Sequence, residues 1–268
     1  MFRLDGKVAV ITGGGGVICS AIAKDMADAG AKTALLDLSL ERAQYTADEI
    51  IKNGGDAIAV ETDVLSVESI SRAKDAITRK YGKADILING AGGSHPKATT
   101  GPEQSFFDLS ADALKWVFDL NFFGTVLPTQ IFGKLMAKQK SGNIVNIASM
   151  ASFRPLTKIP AYSTSKAAIV NLTEWLAVHF CQNYSPDIRV NAIAPGFLLT
   201  EQNRFLLQNE DGSMTDRGAT VLQNTPMARF GKPGEMSGAV IYLCSDAAAF
   251  VTGVVIPLDG GFNAFSGV

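Results

Sequence analysis

Tyr162 and Lys166 stand four residues apart in a stretch, Ala161 to Ala177, whose pattern predicts a helix. That spacing puts both side chains on one face, one turn apart. A phenol with an ammonium beside it suits a proton donor working near neutral pH, because free tyrosine titrates near ~10 and a neighbouring cation favours the phenolate. Ser149 follows an apolar, strand-like run from Gly142 to Ala148, which predicts its hydroxyl at the carboxyl edge of a sheet. Open α/β sheets bind their ligands along that edge. A serine there can donate a hydrogen bond to a substrate carbonyl or alkoxide while Tyr162 moves the proton. A Tyr-x-x-x-Lys pair alone describes many surface helices equally well. Ser149 upstream of it, behind a strand, and a glycine-rich turn near the amino terminus are what raise it to a candidate site.

The elements that must position these groups follow in order. Val8 to Thr12 is a β-rich apolar run, Gly13 to Gly16 a turn, and Val17 to Ala29 a helical stretch stopped by Gly30. A second strand, Lys32 to Leu36, closes on Asp37; a helix (Leu40 to Asn53) and a third strand (Ala57 to Thr62) follow. Helix returns from Val67 to Lys80, and Ala84 to Ile88 is a fourth strand ending at Asn89-Gly90-Ala91-Gly92. After a long polar loop, Gly93 to Leu109, a helical pattern runs from Ser110 to about Lys138. Strand five (Asn143 to Ala148), the Tyr-Lys helix and strand six (Ile188 to Ala194) lead to Pro195-Gly196. Phe197 to Arg229 is the least regular region and is expected to form a mobile substrate flap. Pro233 to Cys244 is helical, and Val254 to Leu258 is a seventh strand. Strands alternating with helices of this length predict an α/β fold: a single domain over residues 1–268 with a doubly wound parallel sheet, helices on both faces.

Composition agrees. Hydrophobic residues make up 47% of the 268 and charged residues 19%, enough for a sizeable core and against disorder. A net charge of −2 offers no electrostatic case for nucleic acid or a membrane surface. No apolar run approaches the ~20 residues that span a bilayer, and the polar start is unlike a signal peptide. Cys19, Cys181 and Cys244 are scattered, without metal spacing alongside His95 and His179, so no metal site is expected and a reducing cytoplasm suits the chain.

The strand, glycine run and helix at the amino terminus form a dinucleotide-binding arrangement, in which glycines let backbone N–H groups approach a pyrophosphate at the helix end. Asp37, at the end of strand two, is placed to accept the ribose hydroxyls, and its charge would repel a 2′-phosphate. With no arginine at Leu38 or Ser39, NAD is favoured over NADP. Asp63, ending strand three, either meets the adenine or caps the next helix.

Thr12-Gly13, Asn89-Gly90-Ala91-Gly92, Asn121, Ser149, Tyr162, Lys166, Pro195-Gly196 and Asp259-Gly260-Gly261 together resemble, in order and spacing, the short-chain dehydrogenase/reductases. The resemblance covers essentially the whole chain. It implies a Rossmann-type fold, a nicotinamide cofactor and a homotetramer. It also implies that Asn121 holds water in a proton relay and that Lys166 reaches the nicotinamide ribose as well as Tyr162. Cofactor contacts are implied at Thr12, Gly13, Gly15, Gly16, Val17, Ile18, Asp37, Asp63, Val64, Asn89, Ala91, Gly92, Pro195, Gly196, Phe197 and Thr200. One departure stands out: Val17 and Cys19 occupy the family's second and third glycine positions.

Two loops flank the catalytic group, after strands four and five. They carry Ser94, His95 and Lys97, and Arg154 and Lys158, a local cationic group in an acidic chain. Arg154 and His95 are expected to grip a carboxylate, with Ser94, Ser149 and Tyr162 completing the substrate site. The stretch Asn89 to Thr100 and the turn Thr12 to Cys19 also look like those of the D-mannonate oxidoreductase (fructuronate reductase) branch of the short-chain enzymes. That likeness implies NADH-dependent reduction of a keto-uronate. The alternatives are a polyol, gluconate or other sugar dehydrogenase and, more remotely, a nucleotide-binding regulator without catalysis.

Overall fold

A computed structural model of the chain describes residues 2–200 and 204–267. Seven parallel strands make one sheet in the order β3-β2-β1-β4-β5-β6-β7. They are β1 (Val8–Thr12), β2 (Lys32–Asp37), β3 (Ala57–Glu61), β4 (Ile86–Asn89), β5 (Gly142–Ile147), β6 (Ile188–Pro195) and β7 (Val255–Leu258). The order reverses between β1 and β4, where Thr12 pairs with Asn89. Loops leaving these two strands diverge to opposite faces and open a crevice at their carboxyl ends.

Helices cover both faces because neighbouring strand residues point oppositely. Ala9 and Ile11 pack with Leu35, Ile88 and Val145 under α1 (Val17–Asp28), α2 (Leu40–Lys52) and α9 (Ser237–Cys244). Val8 and Val10 pack with Leu36, Leu87 and Ile144 under α3 (Val67–Tyr81), α5 (Gly124–Gln139) and α6 (Pro160–Asn183). Fully burying one such side chain contributes roughly 1.5–3 kcal/mol. Every residue of β1 and β6 is buried, as expected of central parallel strands.

The boundaries differ from expectation where local bonding intervenes. β4 starts at Ile86, because both backbone groups of Ala84 are taken by the Gln139 side chain (3.3 and 2.9 Å). The pattern expected to be one helix from Ser110 to Lys138 is broken. α4 (Ala111–Phe118) passes through a π-helical turn, Asp119–Phe123, before α5 resumes. α6 begins with Pro160 in its first turn, where the missing N–H costs nothing, and runs on to Asn183.

The region expected to be irregular, Phe197 to Arg229, holds two short helices, α7 (Arg204–Leu207) and α8 (Asp216–Gln223). Its two ends are tied by Leu199 N–H to Gly231 O (3.2 Å) and Gly231 N–H to Phe197 O (3.0 Å). Residues 201–203 of this expected flap lie outside the described residues. Among the described residues no helix is long and apolar enough to cross a membrane.

Candidate active site

β5 ends at Ile147, and the chain turns at Ser149 into a 3-10 turn, Met150–Ser152. Ser149 Oγ accepts the Ala151 N–H (3.1 Å), while the Ser149 N–H reaches Ser152 Oγ (3.4 Å). This reciprocal cap fixes the Ser149 side chain at the sheet edge. Ser152 Oγ also donates to the carbonyl of Lys166 (2.8 Å), and Lys166 Nζ donates to Ile147 O (2.7 Å). The end of β5 and the first turns of α6 are thereby stitched together. Lys166 Nζ lies 5.8 Å from the Tyr162 ring centroid, and the Ser149 hydroxyl sits close enough to the Tyr162 phenol to act on its proton affinity. The three side chains expected to act together are together.

Their electrostatics differ from the sequence expectation. Burial pushes the Tyr162 phenol above its ordinary value, and the Ser149 hydroxyl opposes this without reversing it. Burial also lowers Lys166 to about 8, so desolvation governs both groups. Tyr162 thus keeps its proton at neutral pH, the state a donor needs.

Asn121 sits fully buried in the π-helical turn, a distortion frequent at functional sites. Its Nδ2 donates to Gly93 O and Val117 O (both 2.7 Å), and its Oδ1 accepts the Gly93 N–H (3.2 Å). The amide therefore clamps the loop after β4. A Cβ on Gly92 would meet Asn121 Oδ1 at 2.6 Å and Lys166 Nζ at 3.4 Å, which requires glycine there.

Ser149, Tyr162 and Lys166 line a cleft of about 410 Å3 at the β1/β4 switch point. Gly13, Gly16, Val17 and Ile18 form one wall, with Gly92 beside them. Pro195, Gly196, Phe197 and Thr200 form the opposite side. Gly13 has φ +66° and its Cβ position lies 3.0 Å from the Ala91 N, so the two turns meet backbone to backbone. Gly16 caps α1 without any side-chain bond, leaving the helix end bare toward the cleft. A glycine cradle, an uncapped helix amino terminus and the carboxylate of Asp37 fit a dinucleotide.

Other expected contacts are placed differently. Thr12 is buried, and its hydroxyl accepts the N–H groups of Gly90 (3.0 Å) and Ala91 (3.2 Å), so it joins β1 to β4 and does not face the cleft. Asn89 points to the other face, donating to Thr129 Oγ1 (2.9 Å) and Asn146 Oδ1 (2.8 Å). Asp63 is exposed and accepts the Leu65 N–H (2.8 Å), whereas the cap of α3 is Ser66. Val64 is buried and packs close to Gly124.

Asp37 is 6% exposed; Gly15 N–H binds its Oδ2 (3.0 Å), and Ser39 N–H (2.9 Å) and Arg42 Nη2 (3.1 Å) bind Oδ1. Arg42 escapes a sequence reading that looks for a cation only at residues 38 and 39. Ser94 and Arg154 are exposed, and neither they nor His95 line the cleft. His95 Nδ1 accepts the Lys97 N–H (3.1 Å), leaving Nε2 to carry its proton, and its ring lies edge-on to Trp116 (5.5 Å).

Cys19 also lines the cleft, its thiol pushed up to about 12 by burial, so it is inert packing. A Cβ on Gly90 would collide with Cys19 Sγ. The cysteine at a family glycine position is accommodated because residue 90 has no side chain.

A family model described as enoyl-(acyl carrier protein) reductase, of the short-chain enzymes, matches residues 16–263. An uncharacterized oxidoreductase of Haemophilus influenzae is 50% identical over 99% of this chain and 96% of its own. A second, UxuB of Bacillus subtilis, is 48% identical over 99% of this chain and 98% of its own. A proposed D-mannonate oxidoreductase of Haemophilus influenza, solved with NAD bound, superposes with a TM-score of 0.93 at 49% identity, covering 99% of this chain and 98% of the other. The chain belongs to the short-chain dehydrogenase/reductase family of oxidoreductases.

Proposed function

We propose that the protein is an NAD(H)-dependent oxidoreductase that interconverts a ketone and a secondary alcohol on a sugar acid, with D-fructuronate and D-mannonate as the pair. The observation that carries this reading is the meeting of Ser149, Tyr162 and Lys166 on one wall of a cleft that the uncapped end of α1 also lines. When bound, the nicotinamide supplies or accepts the hydride. Gly13, Gly16 and the first turn of α1 would hold its diphosphate and Asp37 a ribose. Ser149, its Oγ fixed by Ala151, orients the substrate oxygen by hydrogen bonding. Tyr162 donates the proton to that oxygen during reduction and takes it back during oxidation. Lys166 Nζ lies over the Tyr162 ring, where its charge is placed to steady the phenolate that proton loss would leave. Asn121 acts by position, holding the Gly92-Gly93 turn beside Lys166.

The sugar-acid choice is supported by likeness to the proposed D-mannonate oxidoreductase. A neutral polyol is the second reading, favoured by the cleft wall itself, whose only cation among the described residues is Lys166 while Arg154 and His95 lie outside it. Fructuronate and fructose, each turned over by wild type and by Arg154→Ala, separate the two. If Arg154 closes onto a carboxylate, its loss raises KM for fructuronate and spares fructose. A lost charge-assisted contact is worth roughly 1.5–3 kcal/mol, on the order of 10- to 150-fold in kcat/KM. Equal losses on both sugars would refute the carboxylate contact and leave the polyol ahead.

A further inference from the structure

The geometry points to Arg42 as a second determinant of cofactor choice, one that works against Asp37. It rests on the nucleotide site proposed above. A carboxylate offers about four acceptor positions on its two oxygens. Asp37 already uses three: Gly15 N–H on Oδ2, and Ser39 N–H and Arg42 Nη2 on Oδ1. A ribose diol brings two donors to one remaining position, so the second hydroxyl binds only where Arg42 lets go of Oδ1. Ser39 and Gly15 cannot yield, since theirs are backbone groups of the two turns. Arg42 can, because its side chain is 55% exposed while Asp37 is nearly buried.

Where the arginine goes is limited by its backbone. The Cβ position of Gly15 lies 2.5 Å from Arg42 Cβ, so the root of the side chain is seated against the glycine turn. A released guanidinium therefore swings about a fixed root next to the ribose it has just left. There it meets whatever the 2′-oxygen carries. A hydroxyl offers little, whereas a phosphate presents several oxygens to a planar fork. Arg42 thus competes with NADH for Asp37 and compensates, in NADPH, for part of the repulsion that Asp37 imposes. The chain is an NADH enzyme with a built-in tolerance for NADPH, and the two coenzymes respond to Arg42 with opposite sign.

The test is coenzyme binding without sugar, from NADH and NADPH fluorescence on titration into wild type, Arg42→Gln, Arg42→Lys, Asp37→Asn and the Asp37→Asn/Arg42→Gln double variant. Arg42→Gln is expected to leave the NADH Kd unchanged or tighten it by up to a few-fold and to weaken NADPH about tenfold or more. Asp37→Asn should tighten NADPH with or without Arg42, and tighten it further where Arg42 is present, and Arg42→Lys should keep part of the NADPH affinity. Parallel weakening of both coenzymes in Arg42→Gln would mean that the arginine only braces the β2–α2 turn, and would overturn the inference. Failure of wild type to bind either coenzyme would instead overturn the nucleotide-site reading on which it stands.

Discussion

Lys166 is held where a cation is disfavoured, and that cost should be measurable. The side chain is 5% exposed, and burial lowers its pKa from 10.5 to about 8. Every tenfold loss of proton affinity corresponds to about 1.4 kcal/mol between the two protonation states. At pH 7 the folded chain therefore carries a penalty of roughly 3 kcal/mol for burying this charge. Between about pH 8 and 10.5 the unfolded chain keeps the proton that the folded chain has lost, so the contribution of Lys166 to stability rises with pH across that window, while the buried thiols of Cys19 and Cys244 pull the other way in wild type and variant alike. Lys166→Met removes the charge but keeps an apolar stem of similar length. It also strips Ile147 O of its donor, at roughly 1–3 kcal/mol. At pH 7 the variant should thus be as stable as wild type or up to ~2 kcal/mol more stable. By pH 9.5 wild type regains about 2 kcal/mol relative to the variant, a relative swing of roughly 4–8 °C in Tm. Urea or thermal melts of the cofactor-free proteins at pH 7, 8, 9 and 9.5 read this directly, with turnover lost in the variant throughout. A stability difference that stays flat across the series would show that Lys166 titrates as an ordinary lysine, and the account of a desolvated site would fall.

The proton donor and the glycine turn give two further tests. Tyr162→Phe should abolish turnover while leaving NADH affinity within a few-fold, since the hydroxyl acts on substrate; activity near wild type would remove Tyr162 from the mechanism. Gly90→Ala drives a methyl into Cys19 Sγ and to 2.9 Å from Thr12 O, and overpacking of this kind costs about 1–3 kcal/mol. Adding Cys19→Ala should return most of that loss in a denaturant melt, and no recovery would place the clash on the backbone of β1.

The strands and the Ser-Tyr-Lys group are legible in the sequence because each is a local pattern: β-branched runs bounded by glycine, and a four-residue spacing on a helix. Val8–Thr12 is legible to the residue because Gly13, at φ +66°, ends it abruptly. The π-helical turn around Asn121 leaves no such mark. One extra residue per turn over five residues barely disturbs hydrophobic spacing, and what holds it is Asn121 bonding to Gly93, 28 residues away. Cys19 at a glycine position looks like a defect in the nucleotide turn. It is tolerable only beside Gly90, and that proximity exists once β1 and β4 pair. Spacing likewise places Lys166 beside Tyr162 correctly but gives the wrong balance of forces. A nearby cation favours the phenolate, but burial disfavours both charged forms by more, and that burial is made by the closed fold, in which distant groups such as Gly92 and Ile147 come up against Lys166. Arg42 teaches the same about choice of cofactor. Inspecting the residues just after Asp37 suffices for a strand end, but α2 starts at once and its first turn folds residue 42 back onto the carboxylate. Which residues can react is therefore written in local spacing, whereas how strongly each holds its proton or its ligand is decided by contacts that only the closed fold brings about.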